Sequence, residues 1–182
     1  LYVGRVDPEK SISNVVSAFA GVLDKVQEAQ LVIVGDGTDR RHLQDLAEAL
    51  GIAKSVHFPG RIYPPDIMEI YRAATIFVTA SETETQGIVL IEAAATGLPL
   101  VAVDAGAVRE LCQHKKNGIL CHPGDVTEIT DAMTKLLKNP DVCERYGKAS
   151  LEVAKKHDLN RTLRRMVEIY QEAIKLKQEK VD

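Results

Sequence analysis

Leu31-Val32-Ile33-Val34-Gly35-Asp36-Gly37 is a four-residue apolar run halted by two glycines around an aspartate. A short continuous apolar run bounded by turn residues reads as a strand covered on both faces, as in a parallel sheet. Outward from it the same pattern recurs at Thr75-Ile76-Phe77-Val78 and at Leu98 to Val103. Shorter versions are Val56-His57-Phe58, ending at Pro59-Gly60, then Gly118 to Cys121, and a remnant at Tyr2-Val3. Between the strands lie segments of helical period. Ser13 to Val26 places Val15, Val16, Phe19, Val22 and Val26 on one side, and Arg41 to Leu50 ends at the C-cap Gly51. Pro65 to Ala73, Gly87 to Thr96 and Val108 to Cys112 read likewise. Beyond Cys121 only helices follow, at Thr127 to Lys138, Pro140 to Lys156 and Leu159 to about Lys177. This order predicts an α/β fold: a doubly wound parallel sheet, Rossmann-like, with extra C-terminal helices. We place a domain over residues 1–157 and a C-terminal helical segment over residues 158–182.

The bulk numbers fit that expectation. A chain of 182 residues, 45% apolar and 27% charged, can bury a core. A net charge of −3 argues against a nucleic-acid partner. The three cysteines, Cys112, Cys121 and Cys143, are odd in number and form no C-x-x-C pair. They point to buried thiols in a reducing compartment, hence to a cytoplasmic location. The most apolar stretch, Ile88 to Val103, is broken by Glu92, Thr96, Gly97 and Pro99 and is too short to span a bilayer. The opening Leu1-Tyr2-Val3-Gly4 falls inside a strand, so a partner domain is expected upstream.

Ligands of such a sheet bind beyond the carboxyl ends of its strands, so the chemistry should sit in the loops that follow them. The first is Gly4-Arg5-Val6-Asp7-Pro8-Glu9-Lys10. Gly4 permits a close turn, while Arg5 and Lys10 bring a forked and a point cation to one strand end, which suits a diphosphate. The strongest local feature is Ser81-Glu82-Thr83-Glu84-Thr85-Gln86-Gly87-Ile88, an acidic loop running straight into an apolar helix. The free amides at Gly87 and Ile88 can receive an anion. Glu84 can point into the cleft, and Glu92, among apolar neighbours, needs hydrogen-bond partners such as sugar or ribose hydroxyls. Read singly, Arg5 and Lys10 are equally well solvated surface charges, and a lone glutamate is more readily a salt-bridge partner or an exposed helix-face residue.

Several familiar sites are excluded. Gly35-Asp36-Gly37-Thr38-Asp39-Arg40 lacks the third glycine of a dinucleotide fingerprint, and no G-K-[ST] phosphate loop or G-x-S-x-G elbow occurs. The five histidines have no metal-ligand spacing, so no metal is expected.

Taken together, LYVGRVDPEKS, LVIVGDG, VHFPGRI, ETQGIVLIEAAATGLPLVAVDAG and NGILCHPGD resemble, in order and spacing, the retaining GT-B glycosyltransferases of the group 1 type. The resemblance spans nearly the whole chain. Its most diagnostic part is the pair Glu84 and Glu92 followed by Ala93-Ala94-Ala95-Thr96-Gly97-Leu98-Pro99. It implies that this is the C-terminal, donor-binding half of a GT-B fold. It assigns Arg5 and Lys10 to the diphosphate and Glu84 to the donor sugar, these three forming the catalytic set. Glu92 is assigned to the ribose, and Gln86, Gly87 and Ile88 to the phosphates and sugar. Gly60, Arg61 and Ile62 go to the base, and Gly4 and Gly35 to the cleft lining.

One departure from the family is Gln86-Gly87 where Phe-Gly is common. The T-E-T-Q-G form looks like a subset that includes diacylglycerol glucosyltransferases. That implies UDP-glucose as donor and a lipid or saccharide acceptor bound mainly by the N-terminal domain. A fragment without that domain is expected to bind donor and to turn it over poorly. The alternatives are a non-hydrolysing sugar-nucleotide epimerase, a non-catalytic nucleotide-sugar-binding module and a plain structural domain. The C-terminal helices mix Lys155, Lys156, Arg161, Arg164, Arg165, Lys175, Lys177 and Lys180 with Glu168, Glu172 and Glu179. We read them as solvated or packed toward the upstream domain, in preference to a peripheral contact with the membrane face.

Overall fold

The computed structural model describes residues 1–178. Among the described residues there are six strands: β1 (Tyr2–Val3), β2 (Leu31–Val34), β3 (Val56–Gly60), β4 (Phe77–Thr79), β5 (Leu100–Val103) and β6 (Gly118–Cys121). The helices are α1 (Ile12–Leu23), α2 (Arg40–Ala49), α3 (Asp66–Ala73), α4 (Ile88–Ala95), α5 (Val108–Leu111), α6 (Val126–Leu137), α7 (Pro140–Lys155) and α8 (Leu159–Gln178). Two single turns of 3₁₀ helix, Pro8–Lys10 and Ala53–Ser55, were not anticipated, because three residues are too few to show a period.

All strand pairing is parallel, in two three-stranded sheets ordered β1-β2-β3 and β4-β5-β6. Tyr2 lies opposite Ile33, Phe77 opposite Leu100, and Leu100 opposite Gly118. The two sheets meet edge to edge at Leu1, whose nitrogen donates to the Ile76 carbonyl (3.0 Å) and whose carbonyl accepts from the Val78 amide (2.9 Å). That exchange is the pattern of a parallel pair. The strands therefore run in the order 3-2-1-4-5-6, and the winding reverses between β1 and β4.

Alternation along the strands explains the helices on both faces. Ile33, Val78, Val101 and Val103 pack with Val15 and Phe19 of α1, Leu43 of α2 and Met133 of α6. Val34, Phe77, Leu100 and Ala102 point the other way, onto Tyr71 of α3, Leu90 of α4 and Leu111 of α5. Both faces of each inner strand are thus dry, which is why those strands read as unbroken apolar runs. The last helices differ in burial. α7 buries Tyr146 and Val153, whereas every residue of α8 from 159 to 177 is exposed. The basic and acidic residues expected at Lys180 and Glu179 lie outside the described residues. Among the described residues, no helix is long and apolar enough to cross a membrane.

Candidate functional site

The site forms where the winding reverses, between the loops that leave β1 and β4. Gly4 follows β1 and its amide donates to the Val34 carbonyl at 3.0 Å. The buried Tyr2 hydroxyl donates to the Arg5 carbonyl at 2.8 Å, bending the chain into the 3₁₀ turn at Pro8–Lys10. That turn swings Lys10 back over the sheet end. Its Nζ donates to Glu84 Oε1 at 2.6 Å and to Ser81 Oγ at 3.4 Å. Both side chains of the pair are mostly buried, 14% and 15% exposed, so the two loops share one partly desolvated ion pair.

The β4 loop then enters α4 through Gly87, the N-cap, whose φ of 62° is left-handed. The left-handed backbone favours glycine there, and a Cβ would lie 2.6 Å from Leu111 Cδ1, so any side chain would also have to displace that methyl. Ile88 and Val89 open the helix, and their amides lack intrahelical partners. Tyr2, Gly4, Arg5, Lys10, Glu84, Thr85, Gln86, Gly87, Ile88 and Val89 line one cavity of about 230 Å³. A fixed cation facing a helix N-terminus across a small cavity suits an anion with hydrogen-bonding substituents.

Of the residues singled out in the sequence, the cavity gathers Gly4, Arg5, Lys10, Glu84, Gln86, Gly87 and Ile88. Arg5 is less committed than Lys10. Its guanidinium is 63% exposed and rests on Asp7 (2.7 Å) and Glu9 (2.6 Å). Asp7 is itself fixed by the Thr38 amide at 2.9 Å, which, with Thr38 Oγ1 and Arg5, holds its carboxyl below the usual carboxylate range.

Gly35, Gly60, Arg61, Ile62 and Glu92 are not part of that lining. Gly35 does structural work beside it. Its φ is 141°, its amide donates to the Gly60 carbonyl at 2.9 Å, and a Cβ on it would fall 1.8 Å from the Gly4 carbonyl oxygen. Arg61 is exposed, and Ile62 packs against the core around α3 and α4. Glu92 is half-buried on α4, and its Oε2 accepts from the Tyr71 hydroxyl at 2.8 Å. Tyr2 and Tyr71 escaped the sequence reading, since a tyrosine in an apolar run shows no sign of where its hydroxyl will point. Among the described residues, no group of three or more His, Cys, Asp or Glu side chains stands ready to hold a metal ion.

Residues 1–153 match the family described as glycosyl transferases group 1. The chain belongs to that family. Its relatives include a sulfoquinovosyl transferase of Arabidopsis thaliana, 34% identical over 161 residues, which are 87% of this chain and 30% of that protein. Another is an alpha-monoglucosyldiacylglycerol synthase of Streptococcus pneumoniae, 35% identical over 144 residues, 79% of this chain and 32% of that one. The chain thus spans about a third of the length of these two relatives. Among solved structures, the C-terminal domain of the group 1 glycosyltransferase LpcC from Francisella tularensis superposes with a TM-score of 0.78. It is 25% identical and covers 85% of this chain and 83% of that domain. The α/β architecture expected from that resemblance therefore holds for this chain.

Proposed function

We propose that this chain is the donor-binding half of a retaining glycosyltransferase that transfers glucose from UDP-glucose to an acceptor held mainly by an N-terminal domain. The observation that carries the reading is the Lys10–Glu84 pair at the mouth of α4, at the point where the sheet's winding reverses. One side chain of that pair suits a diphosphate and the other a sugar hydroxyl. The glucosyl donor and a lipid acceptor draw support from the name of the monoglucosyldiacylglycerol synthase among the relatives.

In this mechanism an acceptor hydroxyl oxygen bonds the anomeric carbon as that carbon's bond to the distal phosphate oxygen breaks; the electron pair leaves with the diphosphate, and the hydroxyl proton goes to the departing phosphate oxygen. Negative charge grows on that oxygen in the transition state. Arg5, Lys10 and the first amides of α4 stabilise it there more than in the ground state, which lowers the barrier. These groups supply the positive charge, so the proposal assigns no metal. Glu84 orients the sugar through its hydroxyls and Glu92 holds the ribose. Gln86 lines the sugar end, and Gly60, Arg61 and Ile62 take the base on the rim beyond Gly35. A cytoplasmic location is part of the proposal, in keeping with three free thiols. Burial pushes Cys112 and Cys121 up to about 12, leaving both protonated.

The test is a calorimetric and thermal-shift titration with UDP-glucose, GDP-mannose, ADP-glucose and ATP. A ligand at 100 times its dissociation constant stabilises the fold by about 2.7 kcal/mol. A shift with UDP-glucose that Lys10→Ala reduces is the expected result. Failure of every nucleotide sugar to bind, in this chain and in the chain joined to its N-terminal domain, would overturn the reading.

A further inference from the structure

The loop after β5, Asp104-Ala105-Gly106-Ala107, lines no part of the cavity, yet it touches the main chain of the residue at its centre. The Ala107 amide donates to the Glu84 carbonyl at 3.1 Å. Gly106 lies directly beneath that carbonyl. Its φ is 55°, and a Cβ on it would stand 2.6 Å from the Glu84 oxygen. The turn is braced at both ends. The Asp104 amide donates to the Cys121 carbonyl of β6 at 2.8 Å, and the Asp104 carboxylate takes both Nε and Nη2 of Arg109, the latter at 2.6 Å.

Glu84 is otherwise carried by a polar loop with few anchors. Ser81 is buried, but Glu82, Thr83, Thr85 and Gln86 are exposed. The side chain of Glu84 is tied to Lys10 and its carbonyl to Ala107, so loops from β1, β4 and β5 converge on this one residue. The Lys10 contact must be shared or exchanged when an anion enters. The main-chain contact need not change, and it holds the residue that carries the carboxylate against the turn.

We propose that the Asp104–Arg109 turn is the seat of Glu84, with Gly106 and Ala107 as positioning residues for recognition of the donor's sugar. This rests on the donor-site reading above and deepens it. The loop after β5, which never meets the ligand, sets how strongly the site distinguishes a nucleotide sugar from the bare nucleotide. The diphosphate cations are carried on β1's loop, whose main chain makes no hydrogen bond with the turn.

Gly106→Ala tests it, with Gly51→Ala as control. Gly51 has a comparable left-handed φ of 72° and nothing within 4 Å of a new Cβ, so it carries the same backbone penalty without the collision. Two readouts are compared with the unaltered chain: hydrogen exchange of the Ala107 amide, and the ratio of UDP-glucose to UDP affinity by calorimetry. Gly106→Ala should speed Ala107 exchange and lower the affinity ratio by about tenfold, the worth of one charged hydrogen bond, with UDP affinity itself nearly unchanged. Gly51→Ala should move neither. Arg109→Ala, which touches no main chain, should shift the ratio in the same direction by less. Gly106→Ala behaving like Gly51→Ala in both readouts would overturn the proposal. If neither ligand binds, in this chain or in the chain joined to its N-terminal domain, the donor-site reading falls and the sugar-recognition role with it, while the exchange comparison separately decides whether the turn seats Glu84.

Discussion

Lys10 Nζ stands 2.6 Å from Glu84 Oε1 across 74 positions of the chain, joining the loop after β1 to the loop after β4. Lys10→Ala does two separable things. It removes a cation from the proposed diphosphate site, and it leaves a mostly buried carboxylate without its partner. A hydrogen bond to a charged group is worth about 1.5–3 kcal/mol, so UDP should bind about ten- to a hundredfold more weakly. Stability in urea should fall by about 1–3 kcal/mol. Glu84→Gln keeps the cation and should retain UDP while losing its preference for the sugar-bearing form. Equal UDP affinity in Lys10→Ala and the unaltered chain would remove Lys10 from the site.

The parts of this arrangement differ in how far they could be read from sequence, for physical reasons. β2 and β5 are legible because both of their faces are dry, so Leu31 to Val34 and Leu100 to Val103 carry no polar residue. Strand ends are less legible. Ile76 continues the apolar run, but only its carbonyl joins the ladder, accepting from Leu1, and β4 begins at Phe77. The cations and carboxylates were visible as residue types in the loops after β1 and β4. Their pairing was not, since a contact over 74 residues depends on the winding order of the sheet. The Gly106 contact with Glu84 was equally hidden, because a glycine's need for space is a property of what lies opposite it.

Glu92 and Tyr71 offer a second test, because one carboxylate has two duties. Its Oε2 accepts from the Tyr71 hydroxyl, and in the proposed site the group also holds the ribose. Burial, and then the Glu92 hydrogen bond, push the Tyr71 hydroxyl well above the usual phenol range, so it remains a donor. Glu92→Ala leaves that hydroxyl unpaired beside the core, at about 1–3 kcal/mol. The melting temperature should fall by about 2–4 °C for each kcal/mol lost. UDP affinity should fall as well. Tyr71→Phe frees Glu92 without removing it and should leave nucleotide binding nearly intact. Parallel loss of binding in both variants would mean that Glu92 acts only through Tyr71.

The pair His122 and Glu128, at the far end of the sheet, should give the fold a pH dependence. The Glu128 hydrogen bond raises His122 above its ordinary value, and the His122 amide and ring lower Glu128 below its own. A raised histidine contributes fully below its unfolded value of about 6.5 and loses that contribution as pH rises through the folded value. A lowered glutamate contributes above about 4.3 and loses it as pH falls through the folded value. The pair is therefore most stabilising between these limits. Urea denaturation from pH 5.5 to 8.5 should show stability declining on the alkaline side, with the slope reduced in His122→Gln. The same slope in both proteins would assign it to other groups.

Gly87 answers to both its φ of 62° and its contact with Leu111, and a double-mutant cycle separates the two. Gly87→Ala in the unaltered chain must adopt a left-handed conformation, costing about 1–2 kcal/mol, and must also force its methyl against Leu111 Cδ1, 2.6 Å away. Leu111→Ala alone opens a hole in the buried cluster below α4, at about 2–5 kcal/mol. In that background the worst contact is gone and Leu90 Cδ1, at 3.2 Å, is the nearest left, so most of the second penalty is relieved and the backbone cost dominates. The Gly87→Ala loss, measured in urea, should therefore shrink when Leu111 is already alanine. Nucleotide binding should recover with it, because the collision is what would tilt the first amides of α4 away from the cavity. An unchanged loss in the two backgrounds would place the whole requirement for glycine in its backbone conformation and leave Leu111 without a part in shaping the helix entrance.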